Sequence, residues 1–196
     1  MLFPPVGLFV ALAKGYHIRF DPVENYVKQS IRNRYHILGA NGVQTLTIAV
    51  MSQGGNKIST GKIRINYDKP WQREHKRSIE SAYRSSPFYE HYESIIFDLI
   101  DSRHSDFQAY FNMCFSSLCK IIGLSPKYSI ENSYVADQDF SIDLRPRIKF
   151  PHQFPTEFSS QKYLQVFADR FPFQPNLSII DLIFNEGPAT LATLKS

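Results

Sequence analysis

Residues 26–51 read YVKQSIRNRYHILGANGVQTLTIAVM, and this stretch decides most of what the sequence predicts about the fold. The glycines at 39 and 42, with an asparagine between them, indicate a hairpin turn. The β-branched, mostly apolar run 44–51 that follows indicates a buried strand. The residues before the turn are compatible with a strand or a helix. On a strand, one face holds the polar set Lys28, Ser30, Arg32 and Arg34; on a helix, Lys28 stacks on Arg32.

Outward from this stretch, the hydrophobic pattern alternates between strand and helix signals. Residues 17–20 and 62–67 alternate polar and apolar side chains, as strands do. Helical spacing then marks three segments, 71–83, 88–99 and 107–122, and a fourth follows at 178–185. We therefore expect one α/β domain over residues 1–196, with a mixed or Rossmann-like central sheet flanked by helices.

Capping residues mark the ends of these helices. Asp68 is a suitable N-cap for the first helix, and Ser105 with Gln108 forms a capping-box pattern before the third. Gly123 ends the third helix, and a Gly-Pro pair at 187–188 ends the last. Residues 53–56, with two glycines, indicate a loop.

Charge is spread unevenly along the chain, although the formal net charge of +4 is modest. No Asp or Glu occurs from residue 25 to residue 67, a span that holds Lys28, Arg32, Arg34, Lys57, Lys62 and Arg64. Unpaired cations in one span attract phosphates or carboxylates, but they are equally compatible with a solvated basic face. The stretch also contains several tyrosines, so single-stranded nucleic acid is a third possibility, although the sequence lacks an RNA-binding signature.

The composition excludes several classes of protein. The apolar start of the chain is interrupted by two prolines and is too short to span a bilayer, so we expect no membrane span. Cys114 and Cys119 are five residues apart in a helical segment, which does not bring their thiols together. No CxxC or paired Cys/His spacing is present, so we expect no metal and no cofactor. These features favour a cytoplasmic protein.

Two histidines are candidate general bases. His75 shares a helix face with Trp71, where burial could adjust its pKa for proton transfer or simply make it a core residue. His17, near Asp21, is a weaker candidate of the same kind.

Four blocks of sequence add a family resemblance. They are FPP at 3–5, ENYVKQSIRNRYHILGANG at 24–42 with LTIAV after it, WQREHKRSIESAYRSSPFYEHY at 71–92 and YLQVFADRFPFQPNLSIIDLIFNEGP at 163–188. Their order and spacing resemble the shorter branch of the WbqC-like family of bacterial proteins. The resemblance implies a role in the synthesis of O-antigen and related surface polysaccharides. It also implies a possible transferase, which would move an amino acid or acyl group onto a nucleotide-activated sugar.

The family pattern can be carried over residue by residue. It falls on Asn25, Tyr26, Lys28, Gln29, Asn33, Arg34, Gly42, Trp71, His75, Tyr83, Pro87, Asp181, Asn185 and Gly187. Two positions depart from it. Tyr35 stands where members often have Cys, which argues against a thiol nucleophile, and Val23 stands where related chains often have His.

Together, the residues and the resemblance predict a site. We expect Lys28 and Arg34 to hold a nucleotide-sugar or another anionic small molecule. The other expected contacts are hydrogen bonds from Asn25 and Asn33, aromatic contacts from Tyr26, Trp71 or Tyr83, and a catalytic base at His75. Arg32, His36 and the 39–42 turn are interpreted as solvated or structural. The alternative is a non-catalytic binding or scaffold protein of the same pathway, in which the cations pair with Asp181 or Glu186. The sequence gives no oligomeric state.

Overall fold

A computed structural model describes residues 1–51, 58–104, 106–134, 136, 142–145 and 154–196 of the chain. Six α-helices and four strands lie in these described residues. In chain order they are α1 Val6–Ala13, β1 Ile18–Phe20, β2 Arg34–Gly39, β3 Gly42–Thr47, α2 Trp71–Tyr83, α3 Tyr89–Asp101, α4 Phe107–Ile122, β4 Tyr128–Ile130, α5 Ile179–Glu186 and α6 Thr190–Lys195.

The strands combine antiparallel and parallel pairing. β2 and β3 form an antiparallel hairpin in which Arg34 is opposite Thr47 and Gly39 is opposite Gly42. β1 pairs in parallel with β4, with Ile18 opposite Tyr128. Within the described residues these pairs are separate two-stranded sheets, covered by the helices. The expected single-domain α/β class, with a mixed arrangement of strands, is confirmed.

The hairpin turn at 39–42 is also confirmed, because Gly42 takes φ +102°, a value that few other residues adopt. The strand after the turn is confirmed too, but its predicted burial is wrong. Leu46 is the one buried residue of β3, and Val43 is 46% exposed. Four of its six residues are exposed, as in an antiparallel strand with little packed on its faces.

The centre of the core is built from the two ends of the described chain. The side chains of α1 are buried on nearly all sides, as expected for a helix that is apolar all round. The residues just before α5 run beside its start: Val6 N–H donates to the Leu177 carbonyl at 2.8 Å, and Ile179 N–H donates to the Pro4 carbonyl at 2.8 Å. These backbone bonds fix α5 against α1.

Helices α2 to α5 follow the sequence pattern closely. Gly123 ends α4 in the left-handed conformation (φ +74°), and the Ser178 side chain caps α5 by accepting from Ile180 N–H. Asp106 caps α4 by accepting from Ala109 N–H at 2.9 Å. The predicted capping box involves Ser105, which lies outside the described residues, as do Lys57 and the predicted loop 53–56.

Two local predictions are wrong. Asp68 does not cap α2, which begins after Pro70 without a side-chain cap. Residues 62–67 do not form a regular strand, although Ile63 and Ile65 are buried as the alternation predicts. They make single bridges, Arg64 with Asp106 and Ile65 with Val50, because neither partner segment continues alongside.

Two further predictions concern the environment of the chain. In the described residues, no helix combines the length and the apolar character needed to cross a bilayer. Cys114 and Cys119 are both free thiols buried in α4, and burial raises the pKa of each to about 12. They are core side chains rather than nucleophiles.

Candidate functional site

The segment before β2 carries most of the predicted ligand contacts, and it runs across residues 58–60. Tyr26 N–H donates to the Ile58 carbonyl at 2.8 Å, and Asn25 forms a bridge with Ser59. Asn25 and Lys28 are exposed, whereas Tyr26 is half-buried. Burial raises the pKa of Tyr26, and the charges of Arg34 and Arg32 oppose this rise.

Asn33 and Arg34 have buried polar atoms without partners. Asn33 is 6% exposed, and its Nδ2 donates to the Ile48 carbonyl at 3.1 Å, which leaves Oδ1 without a hydrogen bond. Arg34 is half-buried, and its Nε is fully covered without an acceptor. In the described part of the chain, neither Lys28 nor Arg34 has a carboxylate within ion-pair distance. Lys28 and Arg34 therefore carry charges that an anion from solution can balance.

Arg32, between these residues, is held differently. Its Nη2 lies 2.6 Å from Glu24 Oε1, and its Nε donates to the same oxygen at 2.8 Å. Its side chain is only 11% exposed, so Arg32 is a structural ion-pair residue and not a solvated one.

His75 faces inward from α2, as predicted, and both of its ring nitrogens have partners. Nδ1 lies 2.9 Å from the Tyr35 hydroxyl, and Nε2 lies 3.2 Å from the Thr47 carbonyl. Because a carbonyl only accepts, the neutral ring carries its proton on Nε2 and accepts from Tyr35 at Nδ1. Burial lowers the pKa of His75 to about 4, against the opposing effect of the Thr47 carbonyl. In this state His75 joins α2 to the hairpin.

Acid is expected to weaken the fold through His75. An unfolded histidine takes up a proton near pH 6.5, whereas folded His75 stays neutral down to about pH 4. The unfolded chain therefore binds more protons between these values, and stability falls as the pH decreases. The shift corresponds to about 3 kcal/mol lost across the window. Urea unfolding of the native chain at a series of pH values measures it.

The matched variants are His75→Gln and His91→Gln, the second at an exposed position. His75→Gln should remove this part of the pH dependence, so its difference in unfolding free energy from the native chain shrinks as the pH falls. His91→Gln should leave the profile unchanged. Parallel profiles for the native chain and His75→Gln would contradict this account of His75.

Trp71 and Tyr83, the other predicted contacts on α2, also face the core. Trp71 is 2% exposed and packs against Tyr67, His75 and Tyr110. Its indole Nε1 is buried without a hydrogen-bond partner. The Tyr83 hydroxyl donates to Asp181 Oδ1 at 2.9 Å. These two aromatic side chains therefore pack inside the fold.

Asp181 is the centre of a buried cluster that sequence reasoning missed. Besides Tyr83, its carboxylate accepts from the Tyr163 hydroxyl at 2.5 Å and from Gln165 Nε2 at 3.0 Å. Burial raises the pKa of Asp181, and these three donors oppose the rise. The suggestion that Asp181 pairs with the basic segment is therefore wrong: hydroxyl and amide groups satisfy it. The residues of this cluster come from separate parts of the sequence, and no sequence pattern indicated that they meet.

A cavity of about 190 Å³ lies beside β1, between the turn at 21–32 and residues 142–145. Its lining includes Arg32 and Glu24, which also line an adjoining cavity of about 90 Å³ that reaches α4. Arg145 lines the larger cavity, and its Nη1 donates to Asp21 Oδ2 at 2.9 Å. His17, the weaker of the two histidine candidates, lines it as well.

Comparison with known proteins then decides the family. A model of the WbqC-like protein family matches residues 1–150 of the chain. The chain belongs to the WbqC-like protein family. The resemblance seen in the sequence is thus confirmed, and the similar block at 163–188 lies beyond the matched residues. Neither a curated protein nor a solved structure matches this WbqC-like chain.

The predicted site residues of this WbqC-like protein fall into separate groups. Asn25, Tyr26, Lys28, Asn33 and Arg34 lie along the segment that precedes and begins β2, whereas Trp71, His75 and Tyr83 lie on the inner face of α2. None of them lines either of the two cavities. The predicted site omitted the cavity, whose wall includes the ion pairs Arg32–Glu24 and Arg145–Asp21. The second pair joins distant parts of the chain, which no local pattern reveals.

Proposed function

We propose that this WbqC-like protein binds a nucleotide-activated sugar, or a closely related anionic small molecule, in the synthesis of bacterial surface polysaccharides. The observation that carries the proposal is Arg34, a half-buried cation without a carboxylate at ion-pair distance among the described residues. An unpaired guanidinium in such a position is suited to a phosphate, which it binds in planar, two-pronged geometry.

The neighbours of Arg34 supply further contacts for such a ligand. Lys28 adds a second, exposed cation on the same segment. Asn33 Oδ1 is covered, so Asn33 supports the segment through its bond to the Ile48 carbonyl. Tyr26 is half-buried on the same segment, so its ring can contact a sugar or base. Asn25 is exposed at the edge of the same segment.

Binding, rather than proton transfer by His75, is the function that the geometry supports best. Both nitrogens of His75 are engaged inside the fold, and burial keeps its ring neutral. Transfer of an amino acid or acyl group therefore remains a prediction, and it would need another base. A scaffold role remains the alternative, although the predicted ion pairs of Lys28 and Arg34 are missing among the described residues.

The test is calorimetric titration of the protein with nucleotide-sugars and with pyrophosphate. The Lys28→Ala/Arg34→Ala variant should bind at least about tenfold more weakly, because two charge-assisted contacts are lost. The Arg84→Ala/Lys120→Ala variant removes the same charge at exposed positions and should bind normally. Equal binding by both variants, or no binding of any anion, would overturn the proposal.

The salt dependence of binding tests for a nucleic-acid ligand. Binding to a single strand weakens steeply as salt rises, because each phosphate contact releases counterions. We expect no binding to an oligonucleotide; steeply salt-dependent binding would contradict this expectation.

We propose that the WbqC-like domain extends over residues 1–196, beyond the end of the family match. Residues 177–186 support this because they pack on α1 and their backbone bonds to it. We also propose a cytoplasmic location. The two free, buried thiols and the need for a cytosolic nucleotide-sugar pool support it.

A further inference from the structure

The cavity beside β1 has a charge-balanced wall. Among the described residues, three arginines and three carboxylates line it, and Arg32 is paired with Glu24 at 2.6 Å while Arg145 is paired with Asp21 at 2.9 Å. The Asp21 side chain is 4% exposed, so its ion pair with Arg145 is largely shielded from water. Because the wall charges already pair with one another, the charge of a charged ligand would lack a partner in a partly enclosed place. The cavity therefore favours a ligand without net charge, in contrast to the segment around Arg34.

The same wall offers hydrogen bonds next to apolar surface. Both contacts from Arg32 use Oε1 of Glu24, and Oε2 has no partner within the described residues, so it can accept from a ligand hydroxyl. Ile18 and Phe20 of β1 line the cavity beside these ionic groups. Planar carboxylate and guanidinium groups bind adjacent hydroxyls, and an apolar side chain covers the C–H face of a ring.

The volume of the cavity restricts the size of the ligand. Pockets for drug-sized ligands usually measure roughly 300–1,000 Å³, whereas this cavity measures about 190 Å³. We therefore expect it to enclose one ring of a ligand.

We infer that this cavity is a subsite for one neutral sugar ring, separate from the anion contacts at Arg34. The inference rests on the proposed function for the choice of a sugar among neutral hydroxylated molecules. Arg32, paired with Glu24, lines the cavity, whereas Arg34, two residues further on, does not. The segment 24–34 therefore presents a paired arginine to the neutral cavity and leaves the other arginine for an anion.

The experiment is saturation-transfer NMR on the full chain with free sugars that carry no phosphate. The neutral probes are methyl α-glucoside, methyl α-galactoside and N-acetylglucosamine; the charged probes are glucuronate and glucosamine. At least one neutral sugar should bind, and the charged sugars should bind about tenfold more weakly. Absence of binding by all neutral probes, or equal binding of the charged ones, would overturn the inference.

Two variants and one control locate the binding. Ile18→Trp fills the cavity and should abolish sugar binding, whereas Val43→Trp, at an exposed position on β3, should not. Glu24→Gln leaves the wall with excess positive charge, so the preference should move from the neutral sugar toward glucuronate. A change in preference is a result that mere loss of structure does not produce. Unaltered sugar binding in Ile18→Trp would place the sugar elsewhere and overturn the subsite.

Pyrophosphate separates this inference from the proposed function. Pyrophosphate should bind to Ile18→Trp with the affinity that it has for the native chain, and its binding to Arg34→Ala should be lost. Failure of pyrophosphate binding with retained sugar binding overturns the proposed anion site alone. Retained pyrophosphate binding without sugar binding overturns the sugar subsite alone.

Discussion

A chain truncated after residue 150 is expected to lose cooperative unfolding altogether. The truncation removes seven large apolar side chains that are at most 1% exposed: Leu177, Ile179, Ile180, Leu182, Ile183, Phe184 and Leu194. Burial of such side chains stabilises a fold by about 1.5–3 kcal/mol each, or about 10–20 kcal/mol together. That exceeds or equals the whole stability of a typical domain, about 5–15 kcal/mol. It would also leave the apolar helix α1 exposed to water.

Urea titration followed by circular dichroism measures this outcome. A chain ending at residue 194 is the control, because the two residues it lacks are exposed, and it should unfold cooperatively near the native midpoint. A cooperative transition of near-native stability in the 1–150 chain would show that the domain is shorter than we propose. The family match would then cover the whole folding unit.

The substitution Gly187→Ala is expected to destabilise the protein by about 2–6 kcal/mol. Gly187 adopts φ +50° and ψ −120°, a conformation that is strained for any residue with a Cβ. A Cβ there would also lie 2.5 Å from Cγ of Phe88. Phe88 cannot retreat easily, because its N–H donates to the Phe184 carbonyl at 3.0 Å and Cγ lies next to the backbone.

Gly123→Ala is the matched control for this substitution. Gly123 also has a positive φ, +74°, but a Cβ there meets nothing within 4 Å. Its expected cost is only the left-handed backbone conformation, about 1–2 kcal/mol. Thermal and urea unfolding of the two variants therefore separate backbone strain from steric overlap. Equal losses in both would mean that Phe88 moves aside.

Features encoded within a few residues could be predicted from the sequence. The spacing of Trp71, His75 and Ile79 gave the inner face of α2, and Ser178 and Gly123 marked helix ends correctly. These signals depend on local backbone geometry, which neighbouring residues determine. The prediction for 62–67 went wrong because a regular strand needs a continuous partner, and alternation alone does not supply one.

The candidate site was harder to predict because its character depends on distant partners. His75 was predicted to face inward, but its neutral, fully bonded state depends on Tyr35 and on the Thr47 carbonyl of the hairpin. Glu24 pairs with Arg32, whereas Arg34, two residues further on, has no carboxylate partner among the described residues. The sequence does not show which of the two arginines is paired. The cavity depends on Arg145, more than one hundred residues from Asp21.

The contact between α1 and the start of α5 has a consequence for how the protein is made. Val6 bonds to Leu177, so α1 depends for its cover on a segment that is synthesised much later. Until that segment emerges from the ribosome, the apolar surface of α1 has no native cover. Such long-range closure slows folding and prolongs the exposure of an aggregation-prone surface. The nascent chain is therefore a natural client for a chaperone.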